Sequence, residues 1–126
     1  MNKNFSLDEL NHFTDSDIVF QHWNSQLCYT EGVRHLANKT DSYWLIDEMA
    51  FVILPRLLKE HKDSFYSIEL FVKSDQSAVI SVSDGNDTIY LRHPIKWTAF
   101  PFVEKSVKFY LCDSGSYYHF MLPSEY

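Results

Sequence analysis

Tyr29-Thr-Glu-Gly-Val-Arg-His-Leu-Ala-Asn-Lys-Thr-Asp-Ser-Tyr-Trp-Leu-Ile-Asp47 encodes a capped helix, a polar break and the entry of a second, more apolar helix. Thr30 offers a hydroxyl where an N-cap is wanted, Glu31 lies at the positive end of the helix, and Val33, Leu36 and Ala37 recur at helical spacing as an inward face. The break at Asn38-Lys-Thr-Asp-Ser42 supplies several N-cap residues, so a new helix is expected to start at Tyr43. From Tyr43 to Leu58 only Asp47, Glu48 and Arg56 carry charge, which predicts a core helix wrapped by other structure on most sides. It should run from Ser42 to about Leu54. Pro55 then predicts either a kink or a stop, because Arg56 to His61 keeps helical spacing.

Upstream of this stretch, Ser6 and Glu9 have the spacing of a capping box and Phe5 with Leu10 that of a hydrophobic staple, so a short first helix should end near His12 and Phe13. Ile18 to Trp23 fits a strand or a helical turn equally well. Downstream, the period changes from 3.6 to 2 near residue 65. Ile68, Leu70 and Val72 alternate with Glu69, Phe71 and Lys73, and Ala78, Ile80 and Val82 alternate with Val79, Ser81 and Ser83. Asp75-Gln76 supplies a turn, and Asp84-Gly85-Asn86-Asp87 marks a hairpin because Asp-Gly tolerates the positive φ of tight turns. Thr88 to His93 should be the third strand. Pro94 to Pro101 reads as a proline-bounded connection laying Trp97, Phe100 and Phe102 over an end of the core. Val107 to Cys112 and Tyr117 to Leu122 alternate again around the turn at Asp113 to Ser116, giving a last hairpin. The expected fold is therefore α+β, with N-terminal helices packed on one face of a C-terminal antiparallel β-meander of about four or five strands.

With 126 residues, 45% of them hydrophobic and 17% aromatic, the chain fits a single domain spanning 1–126 with one well-packed core. A net charge of -6 and scattered Lys and Arg argue against direct nucleic-acid binding and favour a protein partner with a basic surface. The N-terminal residues carry no apolar signal region, and Phe51 to Leu54 is far too short to cross a bilayer, so a cytoplasmic protein without membrane contact is expected. Cys28 and Cys112 lack CxxC spacing and read as reduced, buried thiols.

No residue set specifies a reaction or a cofactor. His12, His22, His35, His61, His93 and His119 show no HExxH motif and no short-range metal spacing, and neither cysteine stands in a context that lowers a thiol pKa. No catalytic residue, metal ligand or cofactor is assigned. Asp47 is the carboxylate of interest, because on a helix Trp44, Asp47, Phe51 and Leu54 share a stripe. In the structural reading it accepts hydrogen bonds from a backbone amide, Arg34 or His35 and fastens the Thr30 helix to the core helix. In the functional reading it is an acid at the rim of an aromatic pocket with Tyr43 and Trp44, able to bind a small polar ligand or a peptide. Residues 1–31 add Asp8, Glu9, Asp15, Asp17 and Glu31 against Lys3 alone, either a solvated acidic face or a docking patch for a basic protein surface.

Leu27-Cys-Tyr-Thr-Glu-Gly-Val-Arg-His-Leu-Ala37, Tyr43-Trp-Leu-Ile-Asp47 and the terminal Leu122-Pro-Ser-Glu-Tyr126 resemble the marks of a family of uncharacterised small bacterial and phage proteins, as do His22-Trp23 and Phe13-Thr14. The resemblance spans nearly the whole chain and carries no assigned catalytic residues. It implies a cytosolic accessory role and keeps open an anti-defence role such as inhibiting a CRISPR effector.

The leading expectation is a non-enzymatic interaction protein whose acidic N-terminal face docks on a nucleic-acid-handling protein. The alternative is a small-molecule binder or enzyme using Asp47, Tyr43 and Trp44. A third reading is a homodimer through an exposed apolar patch on the outer sheet face, where Phe71, Tyr90 and Tyr110 are expected to point.

Overall fold

The computed structural model describes residues 6–13, 19–23, 26–60 and 63–126. Seven strands form one sheet in the order β1-β2-β7-β6-β3-β4-β5, where β1 is Val19–Gln21, β2 Leu27–Thr30, β3 Phe65–Val72, β4 Ala78–Ser83, β5 Ile89–Ile95, β6 Lys105–Asp113 and β7 Tyr118–Met121. Helix α1 spans Glu31–Thr40, α2 Tyr43–Glu48 and α3 Leu54–Glu60, the last two joined by a π-helical turn at Met49–Ile53. The α+β class holds, with helices ahead of the long C-terminal strands.

The sheet is larger than the expected four or five strands, and its connectivity differs from a meander. Val19–Gln21 and Leu27–Thr30 add an edge ahead of the helices: the stretch that fits a strand or a helical turn holds a strand, and the alternation of Leu27 and Tyr29 around Cys28 marks a second one. The sheet is also mixed, because β2 runs parallel to β7 with Cys28 opposite His119. β6 pairs with β3 on one side and β7 on the other, which leaves β5 as the far edge. Pro94 is tolerated within β5 for that reason, since an edge strand has a row of N–H groups that need no ladder partner.

The alternation read in the sequence sets the layers. Tyr66, Ile68, Leu70 and Val72 of β3, Ile80 and Val82 of β4, Val107, Phe109 and Leu111 of β6, and Phe120 of β7 are buried in one cluster with Leu45, Ile46, Met49, Ile53, Leu54 and Leu57 of the helices. Each such side chain contributes about 1.5–3 kcal/mol by leaving water. Phe71 and Tyr110 belong to the other, open face, where Tyr110 and Phe65 meet the ring of Tyr126. Tyr90 does not join them. The β4–β5 register slips between Val82 and Ser83, and Tyr90 instead packs edge-on against buried Tyr66 and donates to Asp63 Oδ2 at 2.6 Å.

Pro55 neither stops nor breaks the core helix. Glu48, Met49 and Leu54 all keep right-handed helical backbone, and the Leu54 N–H bonds back five residues to the Met49 carbonyl. Proline cannot donate to a carbonyl four residues back and its ring would crowd that carbonyl, so the wider π turn just before it accommodates the ring within a continuous helix. The expectation that other structure wraps most of this helix needs correction, since Tyr43, Asp47, Phe51 and Val52 form an exposed side.

The first helix is a 3-10 turn at Leu7–His12, and Ser6 Oγ accepts from the Asp8 amide at 3.2 Å. The capping box is not closed: the Glu9 carboxylate is taken by His35 Nε2 at 3.1 Å. Phe5 of the expected staple lies outside the described residues. Positive φ falls at Gln76, Gly85 and Gly115, within the three expected turns. In the proline-bounded connection Phe100 is buried, its carbonyl and that of Thr98 accept from Gln76 Nε2, and Trp97 stands in solvent.

Candidate functional site

Two of the sequence motifs, the one around Thr30 and the C-terminal one, meet at the start of α1. Glu125, buried in the C-terminal segment, accepts from Thr30 Oγ1 at 2.5 Å, from the Gly32 amide at 3.1 Å and from the Leu122 amide at 3.0 Å. A carboxylate at the positive end of a helix, receiving a free amide of the first turn, is in a favourable anion position. Gly32 is required by the approach, because a Cβ there would lie 2.5 Å from Leu122 Cδ1 and 2.7 Å from Glu125 Oε1. Thr30 also caps the helix as expected, accepting from the Val33 amide at 3.4 Å. This constellation joins the chain end to β2 and α1, and all its polar atoms are used in doing so.

Asp47 is placed differently. Its Oδ1 lies 2.9 Å from Nε2 of His22, whose side chain is 3% exposed, while the Asp47 side chain is 57% exposed. The expected partners are engaged elsewhere: the Arg34 guanidinium sits 4.5 Å from the centre of the Phe20 ring, and His35 pairs with Glu9. Asp47 therefore ties the exit of β1, rather than α1, to the core helix. A third pair of the same kind, His93 with Glu48 at 2.8 Å, ties β5 to α2.

Around the His22–Asp47 pair stands a cluster of rings. His22 meets Phe51 edge-on at 4.8 Å and stacks with Trp23 at 5.7 Å, and Trp23 meets Phe51 at 5.5 Å. Trp23 is 78% exposed and Phe51 44%, with Val52 exposed beside it. Within the π turn Phe51 and Val52 face outward while Met49, Ala50 and Ile53 stay buried. Tyr43 and Trp44, beside Asp47, make other contacts. Tyr43 donates its hydroxyl to Asn38 at 3.0 Å, and Trp44 is half-buried against the core. Clefts of about 280, 270 and 250 Å³ lie elsewhere, beside Leu10 and Pro123, over Ser81 and Glu69, and between Phe20 and His35.

Of the expected acidic face, Asp8 is exposed and Glu9 is committed to His35. Asp15 and Asp17 lie outside the described residues. Cys28 and Cys112 are free thiols, and burial pushes both up from their ordinary pKa, which disfavours the nucleophilic thiolate. Cys112 is only partly buried. Among the described residues no three His, Cys, Asp or Glu side chains converge as metal ligands, and no helix is long and apolar enough to cross a membrane.

Phe51 shares the Asp47 stripe as expected, whereas His22 and Trp23 are the neighbours that the sequence does not bring to Asp47. The signal available was the adjacency of His22 and Trp23, whose distance from the core helix cannot be judged from sequence. A family model covers residues 4–126 of the chain. The protein belongs to DUF6876, a family of unknown function. That membership accords with the expected resemblance to an uncharacterised family, and the match covers the cap and the ring cluster alike. No curated protein and no solved structure matches the chain.

Proposed function

We propose that this DUF6876 protein is a non-enzymatic interaction module whose contact surface is the Trp23–Phe51–Val52 cluster with Asp47 at its edge. The observation that supports the reading most is the 78% exposure of Trp23 beside a half-exposed Phe51, held in place by ring contacts to buried His22. Large aromatic side chains supply most of the affinity at protein interfaces when a partner desolvates them. Leaving both in water is otherwise a cost without return. The free lone pairs of Asp47 add a charge that selects a partner with a Lys, Arg or amide donor opposite, in keeping with the net charge of -6. The partner is thus a protein with a basic surface containing an apolar socket. The acidic N-terminal residues act at longer range, through association rate, rather than as the contact itself.

A catalytic use of the His22–Asp47 pair is disfavoured by access. The imidazole is buried beneath Phe51 and its Nε2 faces Asp47, so a substrate proton has no route to that nitrogen.

The test is affinity capture from the native host with the wild-type chain and, in parallel, with the double variant Trp23→Ala/Phe51→Ala. A partner recovered by the wild type and lost by the variant supports the reading, and its identity shows whether it handles nucleic acid, as an anti-defence role would require. A partner retained equally by both overturns it.

A further inference from the structure

On the face of the sheet away from the helices, one cross-strand row reads Arg92, Ser81, Glu69, Lys108 across β5, β4, β3 and β6. The row lies in a groove of about 270 Å³ that Ser67, Ser83 and the Gly85-Asn86 turn also line. Among the described residues Arg92 and Lys108 form no ion pair, although Glu69 is the direct cross-strand neighbour of Lys108. The hydroxyls of Ser67 and Ser81 likewise make no hydrogen bond to a described residue, while Ser83 Oγ accepts from the Gly85 amide.

The lining is therefore rich in donors that the protein leaves unused. A guanidinium offers five N–H groups in a fork suited to a planar or tetrahedral oxyanion, and an ammonium offers three more. Glu69 is the one carboxylate among the described residues lining the groove, and it accepts from a ligand that carries donor hydrogens, which hydroxyls supply without adding positive charge beside Arg92 and Lys108. The groove volume falls just under the roughly 300–1,000 Å³ of drug-sized ligand sites, which limits the occupant to a small molecule. The geometry points to a binding site for a small hydroxylated oxyanion, of the sugar-phosphate or hydroxycarboxylate kind. Arg92 and Lys108 take the anionic oxygens, and Glu69 with the serines takes the hydroxyls. In a chain of net charge -6, this row carries two positive charges against one negative, so it is a place where an anion is attracted rather than repelled. The site lies on the opposite face from the α2 helix and stands independently of the aromatic contact surface.

The experiment is an amide-resolved NMR titration of the full chain with ribose 5-phosphate, with gluconate, and with neutral ribose as the uncharged control. Saturable shifts at Ser67, Glu69, Ser81 and Lys108 with one or both anions, and none with ribose, are expected; which anion binds distinguishes phosphate from carboxylate. Arg92→Ala should weaken binding by roughly tenfold or more, the loss of one forked charge-assisted contact. Glu69→Gln should tighten it by removing the like charge. Ser81→Val fills the groove floor without altering charge and should also abolish binding, which separates a shaped site from diffuse attraction. Unchanged melting temperatures in the variants show that each is folded. Absence of saturable shifts with both anions, or equal affinity in wild type and all three variants, overturns the inference.

Discussion

Two carboxylates on the helical side of the fold, Glu125 and Asp47, have opposite arrangements. Glu125 is buried and receives a hydroxyl and two amides, so both of its oxygens are engaged in fixing the chain end and joining it to the start of α1. Asp47 has one imidazole partner, stays largely in solvent and borders exposed rings. Burial with several partners marks a group the fold depends on, and exposure with capacity to spare marks one the fold can release to another molecule. By that measure the distinctive C-terminal motif is architecture, and the less conspicuous Trp23–Phe51 cluster is the surface that can act on something else.

The contrast is sharpest in stability. Glu125→Ala should cost about 2–4 kcal/mol in urea unfolding, because it strands Thr30 and two amides in a buried site. Gly32→Ala should cost roughly 1–3 kcal/mol by forcing Leu122 and Glu125 aside. Asp47→Asn keeps an acceptor for His22 at a solvent-facing position and should cost about 1 kcal/mol or less. If Asp47→Asn destabilised as much as Glu125→Ala, the two carboxylates would play the same role and the comparison would fail.

The smallest effect concerns pH. The hydrogen bond to Asp63, then burial and the Asp63 charge, push the Tyr90 phenol up to about 12 from its ordinary 10.0. A raised phenol means the native state favours the neutral form. Its contribution is complete below about pH 10 and is lost as pH climbs toward about 12. Urea midpoints taken across that window should fall less steeply in Tyr90→Phe than in wild type. Some slope should remain, since burial also raises Tyr66 and Tyr118. Identical slopes would show that the Asp63 contact does not hold the proton.

What could be read in the sequence was what depends on local periodicity. The long strands alternate cleanly, Thr30 and Gly85 act where they stand, and the expected break narrows to Asp41 and Ser42, with Asn38 to Thr40 still in α1. What could not be read depends on contacts between distant residues. Nothing local indicates that Leu27–Thr30 lies parallel to Tyr118–Met121, or that Glu125 reaches Gly32 across nearly the whole chain. Asp47 is legible as a carboxylate amid apolar residues, but its partner comes from before α1 rather than from α1. Phe51 lies at the surface as a strict 3.6 period places it, on the stripe of Trp44 and Asp47 across from Leu45, Met49 and Ile53; the π turn next to Pro55 is what no local signal shows.

The central claim is that Trp23 and Phe51 form the binding surface and the acidic N-terminal residues do not. The direct measurement is the dissociation constant of the captured partner for wild type, for Trp23→Ala/Phe51→Ala, and for the quadruple change of Asp8, Asp15 and Asp17 to Asn and Glu9 to Gln. The double variant should lose at least about 2 kcal/mol of binding with stability within about 1 kcal/mol of wild type, as expected for exposed hot-spot rings. The quadruple variant should mainly slow association, increasingly so at low salt. An unchanged dissociation constant in the double variant, or a loss confined to the quadruple one, would contradict the account.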